Sequence, residues 1–220
     1  VEGPAPLLDV EADRPRAKPL PRGVVRGREL DAAEPLDGLP RGAVLELRRG
    51  ADTHATTAAA LAVAEVQREG DPALWCVEAG TSLFPPDLVA AGVDLAALVV
   101  VHVPDDGEAD ARGLARAAEL ALRTGAFGAV LVDVERRPLP RGEGWVGRLA
   151  GLAREHDCRV LLLTPETGRG AGPLAPYRLA AAVRRRGPSR FHLETRVLKS
   201  KTGLRPRLPE GELRGPEGLP

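Results

Sequence analysis

The sequence predicts an α/β fold: a mostly parallel twisted sheet flanked by helices, extended by a C-terminal antiparallel hairpin. Two observations carry this. Short aliphatic runs of strand length alternate with longer amphipathic runs, the pattern of strands joined by crossover helices. After residue 163 the alternation stops, and two strand-length runs flank Gly187-Pro188-Ser189, a turn signal.

Taken in order, residues 1–23 contain Pro4, Pro6, Pro15, Pro19 and Pro21 and few aliphatics, so an extended or disordered arm is expected. The folded domain is expected over 24–207. Its strands fall at 43–47, 73–77, 97–103, 129–134 and 159–163, each a compact apolar run that reads as buried on both faces. Helices are expected at 57–68, 86–91, 108–123 and 143–155, and the hairpin strands at 177–186 and 190–201. Residues 208–220, rich in Pro, Gly and Glu, read as a flexible tail.

The 220 residues suffice for one domain with a core. With 31 basic and 31 acidic side chains the net charge is zero, which excludes a bulk electrostatic attraction to nucleic acid or membrane. No apolar run approaches the roughly 18–20 residues that span a bilayer, so a cytoplasmic protein without membrane contact is expected. Cys76 and Cys158 lie in strand-like apolar runs and read as buried free thiols. Methionine is absent, which fits a chain processed at its start or a fragment.

Between the first strand and first helix stands Gly50-Ala51-Asp52-Thr53-His54-Ala55-Thr56-Thr57, the outline of a phosphate-binding loop with no lysine. Such a loop needs glycines so that backbone N–H groups can wrap phosphates, a lysine to neutralise them, and a hydroxyl for magnesium. Only the Thr56 and Thr57 hydroxyls remain.

Further segments follow in an ordered series: Gly38-Leu39-Pro40-Arg41-Gly42, Val66-Gln67-Arg68-Glu69-Gly70, Ala91-Gly92-Val93-Asp94 and Val197-Leu198-Lys199-Ser200-Lys201. In that order and spacing the chain resembles the RecA recombinases, over about three quarters of its length. Ser82-Leu83-Phe84-Pro85-Pro86-Asp87 is similar to the RecA-like mutagenesis proteins of the ImuA family, described together with the division inhibitor SulA. The resemblance implies a RecA-like core. It puts Ala55 at the phosphate lysine, His54 at the preceding glycine and Gly80 at the acidic residue that orients the attacking water. Loss of one charge-assisted contact amounts to about 1.5–3 kcal/mol. Glu78, two residues before Gly80, is the available substitute carboxylate. Asp133 matches the magnesium-associated aspartate. Its alternatives are residual metal binding, or a strand-end carboxylate bonded to Thr56, Thr57 or a helix N-terminus.

From Arg178 to Arg207 the basic residues are Arg178, Arg184, Arg185, Arg186, Arg190, Arg196, Lys199, Lys201, Arg205 and Arg207, against Glu194 alone. A neutral chain thus has one basic end, suited to DNA phosphates or an acidic protein surface, or else a solvated set of charges protecting an edge strand. Tyr177 and Phe191 are the aromatic residues in this stretch, too few for binding single strands by stacking.

The resemblance implies a non-catalytic accessory protein of SOS mutagenesis and translesion synthesis, a degenerate pseudo-ATPase without cofactor or metal. Its implied partners are RecA, the Y-family-like ImuB and an error-prone polymerase subunit, with DNA a weak further partner. Two alternatives remain open. One is a diverged ATPase using Asp133, Thr56, Thr57 and Lys199 or Lys201 across a subunit interface. The other is a SulA-like division inhibitor.

Overall fold

The computed structural model describes residues 34–36, 38–49, 54–104, 107, 109–135, 137–142, 144–165, 175–186, 190–208 and 211–214. The expected arm at 1–23, and residues 50–53 of the loop, lie outside them.

Alternating strands and helices build the predicted sheet. Strand β1 (Glu34–Leu36) precedes β2 (Val44–Arg48), helix α1 (Ala55–Arg68), β3 (Ala73–Glu78), α2 (Pro85–Ala90), β4 (Leu98–Val103), α3 (Arg112–Arg123), β5 (Ala129–Asp133), α4 (Gly144–Glu155) and β6 (Arg159–Thr164). Then come β7 (Tyr177–Arg185), β8 (Arg190–Ser200), β9 (Leu204–Pro206) and β10 (Gly211–Arg214). The main sheet has eight strands in the order β10-β8-β7-β2-β6-β5-β3-β4, and β1 pairs separately with β9. From β7 to β4 every pairing is parallel, whereas β8 and β10 are antiparallel additions.

The pleat sorts each strand's side chains onto two faces. Leu45, Leu47, Trp75, Leu131, Leu161 and Leu179 form one core with α1 and Leu88 of α2. Val44, Leu74, Cys76, Val130, Val160 and Leu162 form the other with α3 and α4. Helix α1 is alanine-rich because it lies close to the sheet: Ala58, Ala59, Ala62 and Val63 are fully buried, and larger volume comes from Trp75 beneath.

Two expectations need correction. The strand expected at 97–103 is not buried on both faces. β4 is the sheet edge, with Val99 46% and Val100 36% exposed, since no further strand covers it among the described residues. The expected tail is not wholly free either. Leu208 is 2% exposed in the α1-side core, and β10 pairs with β8 from Gly211↔Leu193 to Arg214↔Arg190. A composition rich in Pro and Gly concealed an edge strand whose partner is distant in sequence. Helix α3 begins four residues later than expected, where Asp110 Oδ1 accepts from the Arg112 backbone N–H at 3.1 Å.

An arginine–carboxylate cluster closes the amino ends of the strands. Arg159, at the start of β6, donates from Nε to the Leu39 carbonyl (2.9 Å) and from Nη2 to both Glu69 oxygens (2.7 and 2.8 Å). Arg41 donates to Glu69 and, at 2.9 Å, to Asp71. Gly128 is required beside it, because a Cβ there would stand 2.3 Å from that of Asp71.

Candidate functional site

In parallel α/β sheets ligands bind outside the carboxyl ends of the strands, beside helix N-termini. Here that end gathers the exits of β2, β5 and β6 and the start of α1. His54 precedes the helix, exposed, its backbone N–H bonded to the Ala181 carbonyl at 2.9 Å. Its side chain makes no cap bond. Ala55, the first helical residue, is 2% exposed and faces the core. Thr56 and Thr57 follow, half-buried.

Arg49 fills the space between these elements. Its backbone N–H bonds the Thr164 carbonyl at 2.8 Å, pinning the β2 exit to β6. From there the side chain reaches past the end of β6. Nη1 donates to the Thr56 hydroxyl at 3.2 Å, and Nη2 makes a short ion pair with Asp133 Oδ1. The second carboxylate oxygen of Asp133 accepts from Trp75 Nε1 at 3.3 Å. Asp133 is 1% exposed. Burial pushes its carboxyl above the usual range, and Arg49 and Trp75 pull the other way without cancelling that. The hydroxyl and carboxylate that the sequence offered to a magnesium ion are thus joined by an internal guanidinium.

The partners expected for Asp133 as a strand-end carboxylate, Thr56, Thr57 or a helix N-terminus, are replaced by others. Asp133 bonds Arg49 and Trp75, and Thr56 is held on the far side of the same guanidinium. Arg49 carries no motif: Arg48-Arg49 is a pair of basic residues at a strand exit, and only the pleat decides that Arg49 turns toward α1.

Gly80 lies in the turn after β3, exposed, at φ 80°. Glu78 cannot stand in for a carboxylate there. It alternates with Val77 and so projects with Cys76 onto the α3–α4 side, opposite Asp133, which follows Leu131 on the α1 side. Glu78 is 3% exposed, accepts from the Arg137 backbone N–H at 3.4 Å and pairs with Arg137 Nε at 3.7 Å.

The basic segment is less uncompensated than its sequence suggests. Arg178 Nε donates at 2.7 Å to Glu46, a fully buried carboxylate on the central strand that also accepts from the Thr164 hydroxyl at 3.0 Å. Arg184 and Arg186 both pair with Glu194, at 2.6 and 3.3 Å. Lys199 Nζ donates to the Ala175 carbonyl at 3.0 Å. Arg190, Arg196 and Arg207 are exposed, and Lys201 and Arg205 half-buried. The register Arg178↔Lys199, Ala180↔Arg196 and Arg184↔His192 puts Arg178, Arg184, Arg196 and Lys199 on one face of the hairpin, opposite the face that packs on α1. The side chain of Arg185 lies outside the described residues.

Elsewhere the chemistry is quiet. Burial pushes both cysteine thiols up to about 12, so neither is a thiolate near neutrality. No group of three metal-ligating side chains occurs among the described residues. No described helix is long and apolar enough to cross a membrane.

No protein-family model matches the chain. It is similar to the RecA proteins of Salinispora tropica (38% identity over 114 residues, 52% of this chain and 31% of that one), Lactobacillus acidophilus (36% over 114 residues, 52% and 30%) and Kineococcus radiotolerans (33% over 130 residues, 59% and 35%). The matched region spans about a third of those relatives. Among solved structures, the crystal structure of the RadB recombinase superposes with a TM-score of 0.55 at 14% identity, covering 80% of this chain and 89% of that one. The chain is therefore RecA-like in sequence over about half its length, and its α/β sheet with the C-terminal hairpin is a RecA-like fold.

Proposed function

We propose that this RecA-like chain is a non-catalytic accessory protein of DNA-damage-induced mutagenesis and translesion synthesis, a pseudo-ATPase that works by contact with other proteins. The observation that carries the reading is Arg49. A nucleotide with its magnesium needs the Asp133 carboxylate, the Thr56 hydroxyl and a cation at the phosphates, and Arg49 engages the first two with a cation of its own. Displacing it would strand a buried carboxylate, at a cost of about 2–3 kcal/mol before any phosphate contact is made, less than for a fully buried pair because the Arg49 side chain is a quarter exposed. Residues 50–57 contain no lysine to offset that loss. The absence of a carboxylate at Gly80, and the position of Glu78 on the other sheet face, support the same reading.

The partners follow from the resemblance to the ImuA family: RecA, and a complex of ImuB with an error-prone polymerase subunit, in the cytoplasm. A chain with the RecA-like body fits a RecA filament end through the fold's own surfaces, and without nucleotide turnover it would halt growth there. The basic hairpin face is the surface for an acidic partner, with DNA a weaker ligand.

The test is to titrate the purified chain into RecA filaments on labelled single-stranded DNA with ATP, following anisotropy and ATP hydrolysis together, beside calorimetry of the chain alone with magnesium-ATP. The reading expects loss of both filament signals at substoichiometric chain, and no heat of nucleotide binding. Saturable nucleotide binding with turnover would replace it with the diverged ATPase. Unchanged filaments would move the contact to the polymerase complex.

A further inference from the structure

On the sheet face opposite Arg49 and Asp133, helices α3 and α4 and the segment 138–141 enclose a cleft of about 1110 Å³. Its walls are fixed. The Ala111 N–H bonds the Pro138 carbonyl at 2.9 Å, and Glu119 bridges the helices, accepting from Arg123 at 2.8 Å and Arg148 at 3.0 Å. Asp110 is occupied by Arg112, through Nε at 3.0 Å and the backbone N–H at 3.1 Å. Both acidic side chains of the described lining are therefore already neutralised. Arg116 is not: it lies exposed on α3 with no ion pair among the described residues, and exposed Arg141 stands on the opposite wall. Four residues on from Arg116, Leu120 is 59% exposed, an apolar side chain where a surface helix should carry a polar one. Leu139 and Trp145 line the same space.

We propose that this cleft binds a short acidic segment of a partner protein, with an apolar side chain seated against Leu120, Leu139 and Trp145 and carboxylates paired with Arg116 and Arg141. The charge is complementary, and the volume exceeds the roughly 300–1,000 Å³ of small-molecule sites, which suits an extended segment. A free phosphate would leave Leu120 uncovered. A nucleic acid would find no open ring for stacking, because Trp145 is 7% exposed. The inference is independent of the pseudo-ATPase reading, because it uses none of the residues at the strand ends.

The test is fluorescence anisotropy with a fluorescein-labelled peptide of Asp and Glu around a central Leu-Phe pair, a charge-matched peptide with Ser-Ser in place of that pair, and an oligothymidine. The full chain is compared with R116E, L120S and, as a control on the basic hairpin, R184E. The altered positions are exposed, and circular dichroism verifies folding. The proposal expects saturable binding of the first peptide, weakened about tenfold or more by R116E, about fivefold by L120S, and less by R184E than by either. The Ser-Ser peptide should bind at least about tenfold more weakly. No binding, equal binding of both peptides, loss through R184E alone, or displacement by oligothymidine would each overturn it.

Discussion

The two ends of the central sheet hold the same chemistry for different purposes. At the amino ends, Arg159 binds Glu69 and the Leu39 carbonyl, and Arg41 adds Asp71, so the cluster ties the entry to β2, the end of α1 and the start of β6. At the carboxyl ends, Arg49 binds Asp133 and Thr56. The amino-end cluster has several acids for its cations, with partly exposed Glu69 at its rim. The carboxyl-end pair has one buried carboxylate and one cation, and each is the other's sole charge partner among the described residues. An ion pair in a structural corner braces the fold, whereas one at the strand exits also occupies the place where a ligand would bind. Each end also leaves one guanidinium nitrogen buried without a partner among the described residues, Nη1 of Arg159 and Nε of Arg49.

The sharpest way to break the comparison is R159A. It removes a cation whose side chain is 6% exposed and leaves the Leu39 carbonyl unpaired, so urea unfolding should show a loss of about 3–4 kcal/mol. A loss below 1 kcal/mol would deny that the amino-end cluster braces the fold. Next comes R49A, expected to lose about 2–3 kcal/mol at neutral pH because Asp133 is left buried without its cation. Burial already raises the folded-state pKa of Asp133, and removing Arg49 raises it further. A raised carboxyl pKa favours the folded state at low pH and disfavours it as pH rises through that value. The R49A deficit should therefore shrink in acid and be full at neutral pH, and a deficit independent of pH would mean that it comes from lost packing.

Glu69 should behave in the opposite sense. Burial opposes its ionisation, but Arg159 and Arg41 outweigh that and hold its pKa below the usual 4.5. Its contribution is present above that value and lost as pH falls through the lower folded-state pKa. Because Glu69 is partly exposed, E69Q should cost only about 1 kcal/mol near neutrality, with a shallower acid limb in thermal melts. The smallest effect belongs to R184A, which removes an exposed pair with Glu194. It should shift stability by less than about 0.5 kcal/mol while weakening any acidic partner of the hairpin face, measured as a flatter salt dependence of binding.

The strands, their helices and the hairpin were legible in the sequence because each is a local pattern: β3, β5 and β6 are continuous apolar runs, and Gly187-Pro188-Ser189 separates two strand-length segments. That Thr56 and Asp133 meet at the strand exits was legible because the helix start and the strand end mark their places. The pairing of β10 with β8, and the exposure of β4, were not, since a strand's neighbours are chosen by parts of the chain far away. The Arg178–Glu46 pair was hidden for the same reason: its partners are 132 residues apart.

By itself the sequence determined the central strands, their helices and the hairpin, that residues 50–57 contain no lysine, and that basic side chains concentrate toward the C-terminal end. Only the tertiary structure decided that Arg49 lies between Thr56 and Asp133, that Glu78 faces away from them, and that Arg116 and Leu120 border a cleft. Periodicity is a property of neighbours along the chain. The strand order, by contrast, sets which exits converge, and the pleat sets which face each side chain takes, so the partners of a buried charge are fixed only when the sheet is assembled.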